Sequence, residues 1–164
     1  MIALPWDGRV WRYVPRGAHP LHFGYLLRAR GRWNRAGRYG ALYLALSADG
    51  ARAEHARYAA AAALNGLPFG PHDLVSLDVT VADALDLTHP ATQRRYGVTT
   101  AALRADGPAA YERCRTVADL ARAGGAFALF VPSAPLDGAV NLIIYPEVPP
   151  SACQIDTGPD RIPL

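Results

Sequence analysis

The stretch GRWNRAGRYGALYLALS, residues 31–47, sets an arginine- and glycine-rich approach against a short apolar run. Arg32, Arg35 and Arg38 stand beside Trp33, Tyr39 and Tyr43, with Gly31, Gly37 and Gly40 as punctuation. Glycine interrupts regular structure, whereas a run such as ALYLAL (41–46) suits a strand. The stretch therefore reads as a loop feeding a core strand. Its charge raises a second reading, a pocket in which a guanidinium grips an anion while an aromatic face holds a flat ring.

Working outward, residues 15–40 form a long loop marked by Pro15, Gly17, Pro20 and Gly24, and RVWRYV (9–14) alternates as an early strand. Ser47 or Asp49 caps a helix over about 50–64, rich in alanine, the best helix former, and Asn65-Gly66 ends it. DLVSLDVTV (73–81) has the clearest period of two and predicts a half-buried strand. Residues 82–107 are mixed and give no firm assignment. Pro108–Ala123 reads as a second helix, with proline suited to its first turn and Gly124-Gly125 as its stop. AFALFV (126–131) and AVNLIIY (139–145) are two further strands joined by PSAPLDG, and the proline-rich tail after Pro146 reads as irregular surface chain. This order predicts an α+β fold with about five or six strands and two substantial helices, in a single domain over residues 1–164.

Composition narrows the function. The 164 residues suffice to bury roughly two-thirds of the surface the unfolded chain exposes. Cys114 and Cys153 give neither a disulfide framework nor a metal-ligand pair, and no histidine spacing supports a metal site. The start lacks a basic segment followed by an apolar run, and no stretch is apolar enough to span a membrane, so a cytoplasmic protein with no membrane partner is expected. All 17 basic residues are arginine, and Arg9, Arg12, Arg16, Arg28, Arg30, Arg32, Arg35 and Arg38 fall in the first quarter. Arginine forks suit phosphate or carboxylate, so a nucleotide, a nucleic acid or an acidic protein are the candidate partners. Nucleic-acid binding through the arginine cluster, with Trp6, Trp11 and Trp33 stacking on bases, is the remote alternative. A net charge of only +3 and the lack of a repeated basic–aromatic module count against it.

Three short segments can carry chemistry: GRWN (31–34), AEH (53–55) and VPSA (131–134). With the opening WRYV, Gly37, LYLALS and Asn141 in the last apolar strand, their order and spacing resemble the RES domain, named for an arginine, a glutamate and a serine. RES proteins are the toxin halves of bacterial Xre–RES toxin–antitoxin pairs. The resemblance implies an ADP-ribosyltransferase-like fold, central twisted sheets flanked by two main helices, that takes NAD as substrate and cleaves its nicotinamide–ribose bond. Hydrolysis, phosphorolysis and transfer of ADP-ribose to a specific protein are all within the family's range. Residue by residue, the resemblance puts the arginine at Arg32, the glutamate at Glu54, the serine at Ser133 and a strand tyrosine at Tyr43, with Arg12 as a further recurring arginine and Asn141 near the serine loop. It also implies an Xre-type antitoxin covering the pocket, with operator DNA engaged only through that antitoxin. A homodimer is allowed.

The chemistry of NAD suits these residue types. A guanidinium grips pyrophosphate, an aromatic face stacks on the cationic nicotinamide, and a carboxylate stabilises the oxocarbenium ion that forms as the N-glycosidic bond breaks. Each residue also has a plainer reading. Arg32 can be a solvated loop arginine, and Glu54 can pair along its helix with Arg57 or Tyr58. Ser133 can be a turn former, Tyr43 a core residue, Arg12 a cover for the sheet edge and Asn141 a brace. His19 and His22 belong to the glycine-rich loop and are either solvated or within reach of the pocket. Two departures from the family pattern stand out. Arg28 and Arg30 precede Arg32 where a second glycine is common, and 82–107 matches nothing firmly.

Overall fold

The computed structural model describes residues 3–164. Its elements run β1 (Ala3–Pro15), β2 (Leu42–Ala45), α1 (Ala48–Leu64), β3 (His72–Asp86), α2 (Pro90–Tyr96), α3 (Thr100–Arg104), α4 (Pro108–Ala123), β4 (Ala128–Pro132), β5 (Val140–Ile144) and β6 (Cys153–Pro163). The fold is mixed α+β, with six strands and four helices, two of them long.

The six strands are ordered β1-β2-β5-β4-β3-β6, and β1 also pairs with β3. Five strands therefore close into a ring, with β6 added to β3. The ring is thinly sewn in two places. β1 and β2 share only the pairing Trp11↔Ala45, and β3 meets β4 in parallel only at Leu85↔Leu129 and Asp86↔Phe130. By contrast, β1 and β3 pair along nearly their whole length.

Local chemistry accounts for the helices. Ser47 caps α1, its Oγ accepting the Gly50 N–H at 3.0 Å. His89 and Thr99 cap α2 and α3 in the same way, through Nδ1 and Oγ1. α4 begins at Pro108, where a missing N–H costs nothing. Its buried stripe of Ala110, Cys114, Val117, Ala118 and Ala121 repeats at helical spacing and packs on Leu87, Leu103, Leu129, Val131, Ile143 and Tyr145. α1 differs. It buries only Gly50 and Ala51, so alanine propensity and the cap support it more than packing does.

Two sequence expectations need correction, and one unassigned region is filled in. The tail is not irregular, since Cys153–Pro163 is an edge strand antiparallel to β3. Its prolines hid it, yet Pro159 and Pro163 are tolerated at an edge, where a missing N–H breaks no ladder. The segment 73–81 is more than half-buried: Leu74–Leu77, Val79 and Val81 are all covered, Leu74 by packing with Ala45 and Ala51. The unassigned 82–107 holds the end of β3 and the two short helices α2 and α3. No helix among the described residues is long and apolar enough to cross a membrane.

Candidate active site

The segment GRWN is fastened from every side. Asn34, wholly buried, accepts the Gly31 N–H (3.0 Å) and the Tyr43 hydroxyl (2.9 Å) on Oδ1, and its Nδ2 donates to the Ala29 carbonyl at 2.7 Å. Arg115 donates twice to the Gly31 carbonyl, at 3.1 and 3.0 Å. The Trp33 N–H goes to the Tyr43 hydroxyl (2.8 Å), and the Trp33 carbonyl accepts from the Tyr145 hydroxyl (3.1 Å). Gly31 is required here, because a Cβ would collide with the Tyr43 hydroxyl and Asn34 Oδ1. The loop is thus a rigid shelf, and its neighbour Arg32 is only 7% exposed.

Beside the shelf, where β1 and β2 part, lies a cavity of about 280 Å³. Arg12 and Tyr13 of β1, Arg32, Tyr43 of β2, Glu54, Arg57 and Tyr58 of α1, Tyr111 of α4 and Asn141 of β5 all line it. Four arginines (Arg12, Arg30, Arg32 and Arg57) face one carboxylate there, so the walls favour an anion.

That carboxylate is held on purpose-shaped supports. Glu54 Oε1 accepts from Asn141 Nδ2 at 2.8 Å and from Ser133 Oγ at 3.3 Å. Ser133 is wholly buried, and its N–H is bonded to the Ala139 carbonyl, which fixes the backbone that carries the hydroxyl. Asn141 is 8% exposed, and its Oδ1 is buried with no partner among the described residues. A buried orphan acceptor is costly, and a ligand donor would satisfy it. The helix pairing of Glu54 with Arg57 is not formed, because Arg57 turns instead to Asp106 and Tyr111.

The arginines are placed unequally. Arg12, 5% exposed, donates to the carbonyls of Pro20 (3.1 Å) and His22 (3.3 Å) and to the Tyr25 hydroxyl, so it pins the 16–40 loop onto β1. Burial holds its pKa below the usual guanidinium value, partly offset by Tyr25. Arg32 Nη1 donates to the Leu103 carbonyl at 3.0 Å and to that of Ala105, Nη2 lies 3.2 Å from Asp106 Oδ1, and Cζ sits 4.5 Å above the Tyr111 ring. It is therefore no solvated loop arginine. Tyr43 packs on the core cluster and also lines the cavity. Burial raises its pKa well above the phenol value, which keeps the hydroxyl protonated for Asn34.

Other expectations part from the geometry. Trp33 is 2% exposed in the core and offers no stacking surface to a nucleic acid. Arg9, Arg16 and Arg35 of the first-quarter cluster are ion-paired with Asp78, Asp73 and the Glu112–Asp119 pair. His19 Nδ1 serves its own turn by accepting the Leu21 N–H, and His22 stacks at a tilt on Tyr25. Among the described residues no group of three or more His, Cys, Asp and Glu side chains is arranged to hold a metal. The sequence reading missed Asn34, Tyr111 and Arg115. Asn34 lay inside the quoted GRWN, but its role depends on contacts with β2.

The mixed α+β scaffold thus sets a half-buried, supported carboxylate in an arginine-lined cleft. The chain belongs to the RES domain family, whose model matches residues 9–163. Among solved structures, a chain from the crystal structure of the M. tuberculosis MbcT–MbcA toxin–antitoxin complex superposes with a TM-score of 0.79 at 25% sequence identity, over 99% of this chain and 86% of that one. No curated protein sequence matches.

Proposed function

We propose that this protein is the toxin of a toxin–antitoxin pair and that it destroys NAD by cleaving the nicotinamide–ribose bond. The observation that carries the reading is Glu54, held by Ser133 and Asn141 inside a cavity whose other charges are arginines. The toxin role is supported by the family and by the likeness to a chain of the MbcT–MbcA toxin–antitoxin complex.

In this reading Arg32 and its neighbouring arginines bind the pyrophosphate, and the face of Tyr43 meets the nicotinamide ring. Nicotinamide leaves as a neutral molecule because its ring nitrogen carries the positive charge before cleavage, so no strong acid is needed to expel it. The ribose left behind gains oxocarbenium character. The Glu54 carboxylate stabilises that charge and accepts a hydrogen bond from a ribose hydroxyl. The unpartnered Asn141 Oδ1 suits a ligand N–H or O–H. Water or phosphate then attacks the same carbon, giving ADP-ribose or its 1-phosphate.

The second reading keeps the pocket but passes ADP-ribose to a specific protein. NMR of the products with and without inorganic phosphate, alongside radiolabelled NAD in a bacterial extract, separates the outcomes. Free nicotinamide with soluble ADP-ribose or its phosphate supports NAD destruction; label on one protein band supports transfer. An Xre-type antitoxin covering the cavity, engaging operator DNA through its own domain, is the partner this reading expects.

A further inference from the structure

Asp106 lies on the three-residue connection between α3 and α4, followed by Gly107 at φ +98°, a conformation that favours glycine. Its carboxylate reaches two of the cavity's arginines at once. Oδ1 is 3.2 Å from Arg32 Nη2 and accepts from Arg57 Nη2 as well. Arg57 Nη2 is also 3.1 Å from the Tyr111 hydroxyl, and the Tyr111 ring underlies Arg32. Two cations that line the cavity thus converge on one carboxylate oxygen.

Asp106 is not built as a brace. Its side chain is 73% exposed, against 7% for Arg32. Exposed ion pairs contribute little because water screens them. Arg32 does not depend on this one, since the carbonyls of Leu103 and Ala105 and the Tyr111 ring hold it independently. The carboxylate can leave while the guanidinium stays in place.

We infer that Asp106 is a resident competitor, an internal anion that occupies the Arg32–Arg57 cradle until a ligand diphosphate displaces it. The inference deepens the NAD reading, since it assigns the cradle to a nucleoside diphosphate moiety. A diphosphate offers several charged oxygens to guanidinium groups that now share one, so the exchange favours diphosphates over singly charged anions. Asp106 therefore sets the affinity of the site without taking part in bond cleavage.

The test is calorimetric titration of the purified protein, and of Asp106→Asn and Asp106→Ala, with ADP, inorganic pyrophosphate and nicotinamide. Both variants are expected to bind ADP and pyrophosphate about three- to tenfold more tightly, with nicotinamide unchanged. Asp106→Asn keeps the side-chain shape, so it remains informative should the alanine variant lose its fold. Unchanged or weaker diphosphate binding by Asp106→Asn overturns the inference and makes Asp106 a brace, as does a lack of pyrophosphate binding by all three proteins. Neither ADP nor pyrophosphate contains the scissile bond. Tighter binding with no NAD consumption leaves the competitor standing and removes the NAD reading; NAD consumption with unchanged binding does the reverse.

Discussion

Glu54 and His55 are consecutive residues of α1, yet they enter opposite environments. Glu54 points into the arginine-lined cavity, where Ser133 and Asn141 donate to it. His55 packs into an aromatic box, 5.1 Å centre to centre from each of Tyr13, Phe69 and His72. There the His55 Nε2 and His72 Nδ1 atoms are buried with no hydrogen-bond partner among the described residues. One face of the helix gives its charged group two hydrogen-bond donors, and the next leaves buried imidazole nitrogens unpaired. A carboxylate cannot be buried unsupported, whereas a neutral imidazole can be packed by its edges at moderate cost. On the proposed reading, the first face serves function and the second packing.

Breaking the first face should have the largest effect. Expressed alone, the wild-type protein should arrest bacterial growth, and Glu54→Gln should abolish the arrest while leaving the fold intact, as checked by plating efficiency and circular dichroism. Removing the supports should come next. Ser133→Ala and Asn141→Ala should each lower kcat for NAD consumption by about 10- to 100-fold with a smaller change in KM, because misplacing a catalytic group costs rate more than binding. The second face should respond through stability alone. His55→Leu removes an unpaired buried nitrogen and should leave activity unchanged while raising stability by about 0.5–1 kcal/mol in urea titration.

The smallest effect is a pH slope. Burial and the neighbouring His72 hold the His55 pKa below its ordinary 6.5. The unfolded chain then binds a proton that the folded chain resists, so this contribution to stability is complete above pH 6.5 and declines as the pH falls below it. Other groups face the same box, namely Tyr13 from β1, Tyr58 from α1 and His72 from β3. Burial raises the pKa of both tyrosines, which therefore stay neutral across this range. Urea midpoints between pH 5 and 8 should show the decline, and His55→Leu should flatten it.

The same contrast explains what could be read from the sequence. The long helices were legible because their signals are local: Ser47 and Asn65-Gly66 bracket α1, while Pro108 and Gly124 bracket α4. β6 was not, because Pro159 and Pro163 argue against a strand until the edge position is known. Nor were α2 and α3, which at 7 and 5 residues are too short to establish a helical period. Arg12, Arg32, Tyr43, Glu54, Ser133 and Asn141 were named through the family resemblance, and the fold draws them to one cavity or its immediate support. Spacing alone would not have joined Glu54 to Ser133, which is 79 positions away. For the same reason Arg57 read as a helix partner of Glu54, although its partner Asp106 lies 49 positions on.

The most direct test is nicotinamide release by the purified, partner-free protein, compared with Glu54→Gln, with ADP-ribose affinity measured on both. Wild type should release nicotinamide stoichiometrically with NAD loss. Glu54→Gln should bind ADP-ribose comparably but release nicotinamide about 10²- to 10⁴-fold more slowly. Equal release by the two proteins, or none from a folded wild type that binds ADP-ribose, would contradict the assignment of NAD cleavage to Glu54.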